Sequence, residues 1–136
     1  MGKGTTTKND ILKYLFQATA PGWAGNANFY IALHTADPGA GGTQETSEAA
    51  YTGYARVGVA RTADGWTVTA NQASNTANIT FPVCTGAPET VTHWSIGTLD
   101  TGAGQLLYSG SLASPLNIIV DVIPSFLVGD MDITDN

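Results

Sequence analysis

From Phe29 to Thr35 the chain alternates. Phe29, Ile31 and Leu33 fall on one side, and Tyr30, Ala32 and His34 on the other. That period of two predicts a strand with one strongly apolar face. Alternation resumes from Tyr54 to Thr62, where Val57 and Val59 interleave with Arg56, Gly58 and Ala60. Between the two runs lies a stretch of about 18 residues, Ala36 to Gly53, rich in Gly, Thr and Glu and without periodicity. A loop of that length in a compact domain is usually functional or disordered.

Upstream, Ile11, Leu12, Leu15 and Phe16 recur at helical spacing, with Thr7 or Asn9 as a candidate cap and Pro21-Gly22 as a stop. A helix of two to three turns is marginal alone, so this one is expected to pack on the rest of the chain. Downstream the signal is β throughout. Asp64-Gly65 reads as a hairpin turn before Trp66-Thr67-Val68-Thr69. Asn71 to Asn75 is polar and turn-like. Further strands are expected over Ala77–Val83, Val91–Thr98, Gln105–Leu112, an apolar stretch after Pro115 with Ile118, Ile119, Val120 and Val122, and Phe126–Ile133.

These runs predict a mainly β protein: a jelly-roll-like antiparallel β-sandwich of about eight strands with one short N-terminal helix. The expected organisation is a single domain over 1–136, with a flexible arm at 1–6, a helix at 7–19 and the sandwich at 27–133. No internal repeat of fixed period is present, which excludes solenoids and propellers.

Charged residues make up 12% of the chain, about half the usual ~25%. Small neutral polar groups cost little to desolvate, so such a surface suits broad contact with other proteins. The net charge of −6 argues against a nucleic-acid partner, which requires clustered Lys and Arg. The charge is also unevenly placed. The only lysines are Lys3, Lys8 and Lys13, whereas Asp130, Asp132 and Asp135 crowd the other end. Basic and acidic ends of this kind can pair with each other or dock on partners of opposite sign. Cys84 is the only cysteine, so an intramolecular disulfide is excluded. No apolar run approaches a membrane span, and no membrane partner or signal peptide is expected.

Candidate chemistry is sparse. His34 and Asp37 could orient an imidazole, but no nucleophile accompanies them, and His34 reads better as a strand-end residue bonded to the loop. His93 reads as a sheet-surface residue and Cys84 as a buried thiol. The aspartates of the tail do not fit the EF-hand ligand series, and no Cys/His spacing matches zinc. Trp23, Trp66, Trp94, Tyr51 and Tyr54 could form a sugar-stacking platform, although core packing is the better reading of Trp66 and Trp94. No enzyme activity, cofactor or metal is expected.

The segments YIALHTADPGAGGTQETSEAAYTGYARVGVAR, NITFPVCTG, VTHWSIGT and GQLLYSG together resemble a family of small tailed-bacteriophage virion proteins. Within it the chain is similar to the capsid cement (decoration) protein of a short-tailed Bordetella phage, and relatives are often labelled phage tail fibre protein. The resemblance covers nearly the whole chain from about residue 5. It implies a non-enzymatic virion structural protein that binds the outside of the assembled head and clamps neighbouring capsid subunits. The alternative it implies is a tail-associated protein involved in host or glycan binding. The implied partners are the major capsid protein and a second copy in a homodimer, on the capsid surface of the virion after synthesis in the host cytoplasm. Expected interface residues are Lys3, Lys8 and Lys13, Trp23, and, in or beside the loop, Asp37, Gln44, Glu45, Tyr51 and Tyr54.

Overall fold

A computed structural model describes residues 2–135. In chain order the elements are β1 (Gly2–Lys3), α1 (Thr5–Gln17), a 3₁₀ turn (Gly22–Gly25), β2 (Asn28–His34), β3 (Val57–Ala60), β4 (Trp66–Thr69), β5 (Gln72–Asn75), β6 (Ile79–Thr80), β7 (Glu89–Gly97), β8 (Leu106–Ile118), β9 (Ser125–Phe126) and β10 (Asp132–Thr134). All pairings are antiparallel. One sheet runs β1-β8-β7-β2-β3, a second β10-β5-β4, and a short ribbon pairs β6 with β9. The fold class is the one expected: a mainly β, antiparallel sandwich with one N-terminal helix. Strands number ten rather than about eight, because three of them are two-residue pieces.

The core lies between the layers. Ile31, Leu33, Val91, Ile96 and Leu107 from the large sheet meet Tyr51, Ile79, Phe81, Met131 and Ile133 from the opposite side. Strand β2 departs from simple alternation. Ala32 and His34, on the side opposite the apolar face, are fully buried along with Ile31 and Leu33. The reason is the long loop, which folds back over the second face: Thr35 N–H donates to Ser47 O and Ala49 N–H to Leu33 O, both at 2.8 Å.

Several local expectations change. Residues 2 and 3 of the expected arm form an edge strand, with Gly2 opposite Ser109 and Lys3 opposite Tyr108. The helix starts at Thr5, earlier than expected, because Gly4 stitches it to β8: Gly4 N–H donates to Leu107 O at 2.8 Å. A Cβ at Gly4 would sit 2.1 Å from Leu106 O, so only glycine fits. Neither Thr7 nor Asn9 caps it; Thr7 is buried and bonds to Leu106 O instead. The helix stops at Gln17, with Ala18 left-handed at φ 51°, before Pro21-Gly22 is reached.

Asp64-Gly65 does not close a hairpin, since β3 and β4 belong to different sheets; it is the turn where the chain changes layer. The hairpin is β4–β5, closed by Ala70-Asn71; of the stretch Asn71 to Asn75 expected to be a turn, only Asn71 turns, and Gln72–Asn75 is strand β5. Strand β8 runs straight through Pro115 to Ile118. Ile119 and Val120, expected to be central, leave the sheet and are exposed.

Candidate functional site

The long loop is held by a network of side-chain bonds. Glu48 is gripped by Arg56 through two contacts, Nε to Oε2 at 2.6 Å and Nη2 to Oε1 at 2.8 Å, while the Tyr54 hydroxyl donates to Oε2 at 2.7 Å. Arg56 also donates to the carbonyls of Leu99 and Gly102, so one guanidinium ties the loop to the 98–104 turn. Burial, the largest single influence, lowers its pKa, but the Glu48 hydrogen bond and the charge of Glu48, with smaller help from Tyr54 and Glu45, together outweigh it, and the net direction is upward. Burial, reinforced by Glu48, pushes the Tyr54 phenol well up.

Gln44 works in the same way. Its Oε1 accepts from the backbone N–H groups of Thr98 and Leu99, and its Nε2 donates to Leu99 O at 2.9 Å. The side chain thus completes a piece of backbone ladder. It fits because Gly97 and Gly104 lack side chains there: added Cβ atoms would approach it to 2.1 and 1.9 Å.

His34 is bonded at both ring nitrogens, Nδ1 to Thr46 O at 2.8 Å and Nε2 to Ser95 Oγ at 2.7 Å. A carbonyl can only accept, so the pattern assigns the neutral Nδ1–H tautomer, with the serine hydroxyl donating to Nε2. Burial pulls its pKa below the ordinary value. Asp37 caps its own turn through Gly39 N–H and makes no bond to His34. The imidazole is a structural strut.

These placements sort the residues expected at an interface. Gln44 (0% exposed) and Tyr51 (3%) are interior and leave that set. Burial raises the Tyr51 pKa to about 12, and its hydroxyl donates to Pro82 O. Tyr54 is occupied by Glu48. Asp37 and Glu45 are exposed on the loop, and Lys8 and Lys13 on α1. Lys3 bonds Asp135 across the two ends of the chain. Asp130 accepts from Leu127 N–H, so two of the three tail aspartates, Asp130 and Asp135, are engaged within the chain. Among the described residues no cluster of His, Cys, Asp and Glu is suited to a metal.

Trp23 lines a groove of about 750 Å³ between the two sheets at the foot of α1. Phe29, Trp66, Tyr108, Ile11 and Ile133 share its walls. Arg61, which sequence reasoning passed over, organises one rim. Its Nη1 donates to the carbonyls of Trp23, Ala24 and Asn26, and its guanidinium lies 4.4 Å from the Phe29 ring centroid. Trp23 and Phe29 meet edge to face at 5.8 Å. Of the aromatic platform, only Trp23 and Trp66 reach this groove; Trp94 and Tyr51 belong to the core. The walls are apolar and hold no acid, base or nucleophile arranged for a reaction. They suit an apolar or aromatic group.

Two exposed apolar surfaces complete the picture. On α1, Leu12, Leu15 (67% exposed) and Phe16 (80%) face solvent. The packing expected of this face is absent; only Ile11, on its edge, reaches the groove. After β8, the segment 119–128 carries Ile119, Val120, Ile123, Leu127 and Val128, each 53–61% exposed. Most monomeric domains do not leave apolar surface of this kind uncovered.

The sandwich's best-connected titratable groups brace its own loops, and two patches of its otherwise polar surface are apolar. The family model described as podophage GP4 fiber I protein gp80 matches residues 2–134, and the chain belongs to that family. It is a bacteriophage virion structural protein. No curated protein matches the chain.

Proposed function

We propose that the chain is a non-enzymatic component of the tail-fibre apparatus of a short-tailed phage, displayed on the virion and acting through protein contacts. The observation that carries this reading is the match of a podophage fibre family along residues 2–134. The chemistry of the chain supports it: His34, Glu48, Tyr54 and Arg56, the best-connected polar groups, are buried in bonds that hold the fold. The family description favours the fibre role over the capsid-cement role implied by the sequence resemblance. In the cement role the major capsid protein would be the principal partner, and the protein would coat the head.

Location and copy number separate the two. Gold-labelled antibody on intact virions, with quantitative mass spectrometry of purified particles, is expected to place the protein at the tail in tens of copies. Label spread over the head, with hundreds of copies and binding to tailless heads, would overturn the fibre assignment in favour of cement.

A further inference from the structure

The exposed face of α1 and the exposed 119–128 segment are complementary in charge. At 100° per residue, Lys8, Leu12, Leu15 and Phe16 form one stripe, with Lys13 at its border. The helix's one carboxylate, Asp10, lies on the other side, bonded to Trp23 and Gln105. The ion pairs among the described residues are Lys3–Asp135 and Arg56–Glu48, and neither uses Lys8 or Lys13. The 119–128 segment has the opposite character: Asp121 lies within it, Asp130 and Asp132 follow it, all are exposed, and no Lys or Arg occurs after Arg61.

The two surfaces do not cover each other within one copy: Leu12, Leu15 and Phe16 on the helix and Ile119, Val120, Ile123, Leu127 and Val128 on the segment all stay exposed. The first turn of α1 is stitched to the start of β8 at Leu106 and Leu107. The 119–128 segment begins where β8 ends, at Ile118. Strand β8 pairs end to end with the nine-residue β7, Leu106 opposite Gly97 and Ile118 opposite Glu89, so its two ends lie about 26 Å apart at ~3.3 Å per residue.

We propose that these surfaces bind each other between copies: the Lys8–Phe16 stripe of α1 on one chain docks on the 119–128 segment of the next. The partner is a second copy of this chain. Apolar contact supplies the driving force, and Lys8 and Lys13 against Asp121 and Asp130 set the orientation. The contact joins two different patches, so it is heterologous; it builds a ring where the rotation closes and a row where it does not. This inference goes beyond the fibre assignment and does not depend on it, because it concerns the purified chain alone.

The test uses two full-length variants altered only at exposed positions, their folding checked by circular dichroism and thermal melting. One is L15E/F16E on the helix; the other is I123E/L127E on the segment. Sedimentation velocity should show concentration-dependent assembly of the wild type and monomers for each variant. An equimolar mixture should form a one-to-one heterodimer and nothing larger, because each variant retains the surface the other lacks. Asp121→Lys should weaken wild-type assembly at least tenfold, and Lys8→Asp added in the same chain should restore part of it. A wild type that stays monomeric at hundreds of micromolar overturns the proposal and leaves a different virion protein as the occupant of the helix face. Variants that still assemble, or a mixture that stays monomeric, overturn it as well.

Discussion

Arg56 and Glu48 form a two-point ion pair, 2.6 and 2.8 Å long, that joins the long loop to the strand that follows it. The Arg56 side chain is 3% exposed and that of Glu48 16%. At that burial the pair is not an ordinary surface bridge, and removing one partner strands the other.

Arg56→Ala is therefore expected to destabilise the fold by about 3 kcal/mol, less than a fully dry pair because Glu48 retains some solvent. Arg56→Lys should recover only part, since an ammonium cannot make both contacts to Glu48 and reach Leu99 O and Gly102 O. Urea denaturation followed by tryptophan fluorescence measures both. A loss under about 0.5 kcal/mol for Arg56→Ala would show that the loop is held by other bonds.

Gly104→Ala should cost about 1–3 kcal/mol. The added Cβ would collide with Gln44 Oε1, and Gly104 has a φ of +53°. Displacing Gln44 leaves the N–H groups of Thr98 and Leu99 without their acceptor. The double variant Gln44→Ala/Gly104→Ala should lose less than the sum of the single losses, because both act on one contact. Strict additivity in the same urea experiment contradicts this account.

His34 gives a pH dependence of defined sign. Its folded pKa lies below the unfolded value, so near neutrality both states are neutral and no penalty exists. As pH falls through the unfolded value of about 6.5, the unfolded chain takes up a proton that the folded chain refuses, and stability drops. The melting temperature should fall between pH 7 and pH 5, and His34→Gln should flatten that slope while lowering stability at pH 7. An unchanged slope in the variant would assign the effect to other groups.

The apolar groove should take up a hydrophobic reporter. Wild-type protein is expected to enhance the fluorescence of an anilinonaphthalene dye. Ala73→Phe, which fills the groove from its β5 wall, should reduce the enhancement several-fold without lowering stability. Equal fluorescence in both proteins would place the dye elsewhere, with the α1 face the first alternative.

How much of this was legible in the sequence depends on the range of the interaction. Alternation placed β2, β4, β7 and the start of β8 because each pattern is local to its strand. It failed where a contact comes from far along the chain. His34 at the end of its strand was legible as a residue bonded to the loop, whereas the burial of both faces of β2 was not, because the loop that covers Ala32 lies beyond the strand. Asp64-Gly65 has the chemistry of a hairpin turn, yet its flanking strands join different sheets. The apolar face of α1 led to an expectation of packing on the rest of the chain, yet Leu12, Leu15 and Phe16 stay exposed, because the helix is held by its first turn and its other face. Gln44 and Tyr51, a polar and an aromatic residue in a loop, have the local look of contact residues; their burial depends on glycines at 97 and 104 and on Pro82, which no local pattern connects to them. Arg61 was missed for the same reason, because its bonds reach back more than thirty residues.

The central claim is a fibre-associated place on the virion, and the most direct measurement is where the protein sits on the intact particle. Cryo-electron microscopy of the virion, reconstructed without imposed icosahedral symmetry, should show this sandwich as density at the tail vertex and not on the capsid lattice. Density for it repeated at symmetry-related sites over the head would contradict the account.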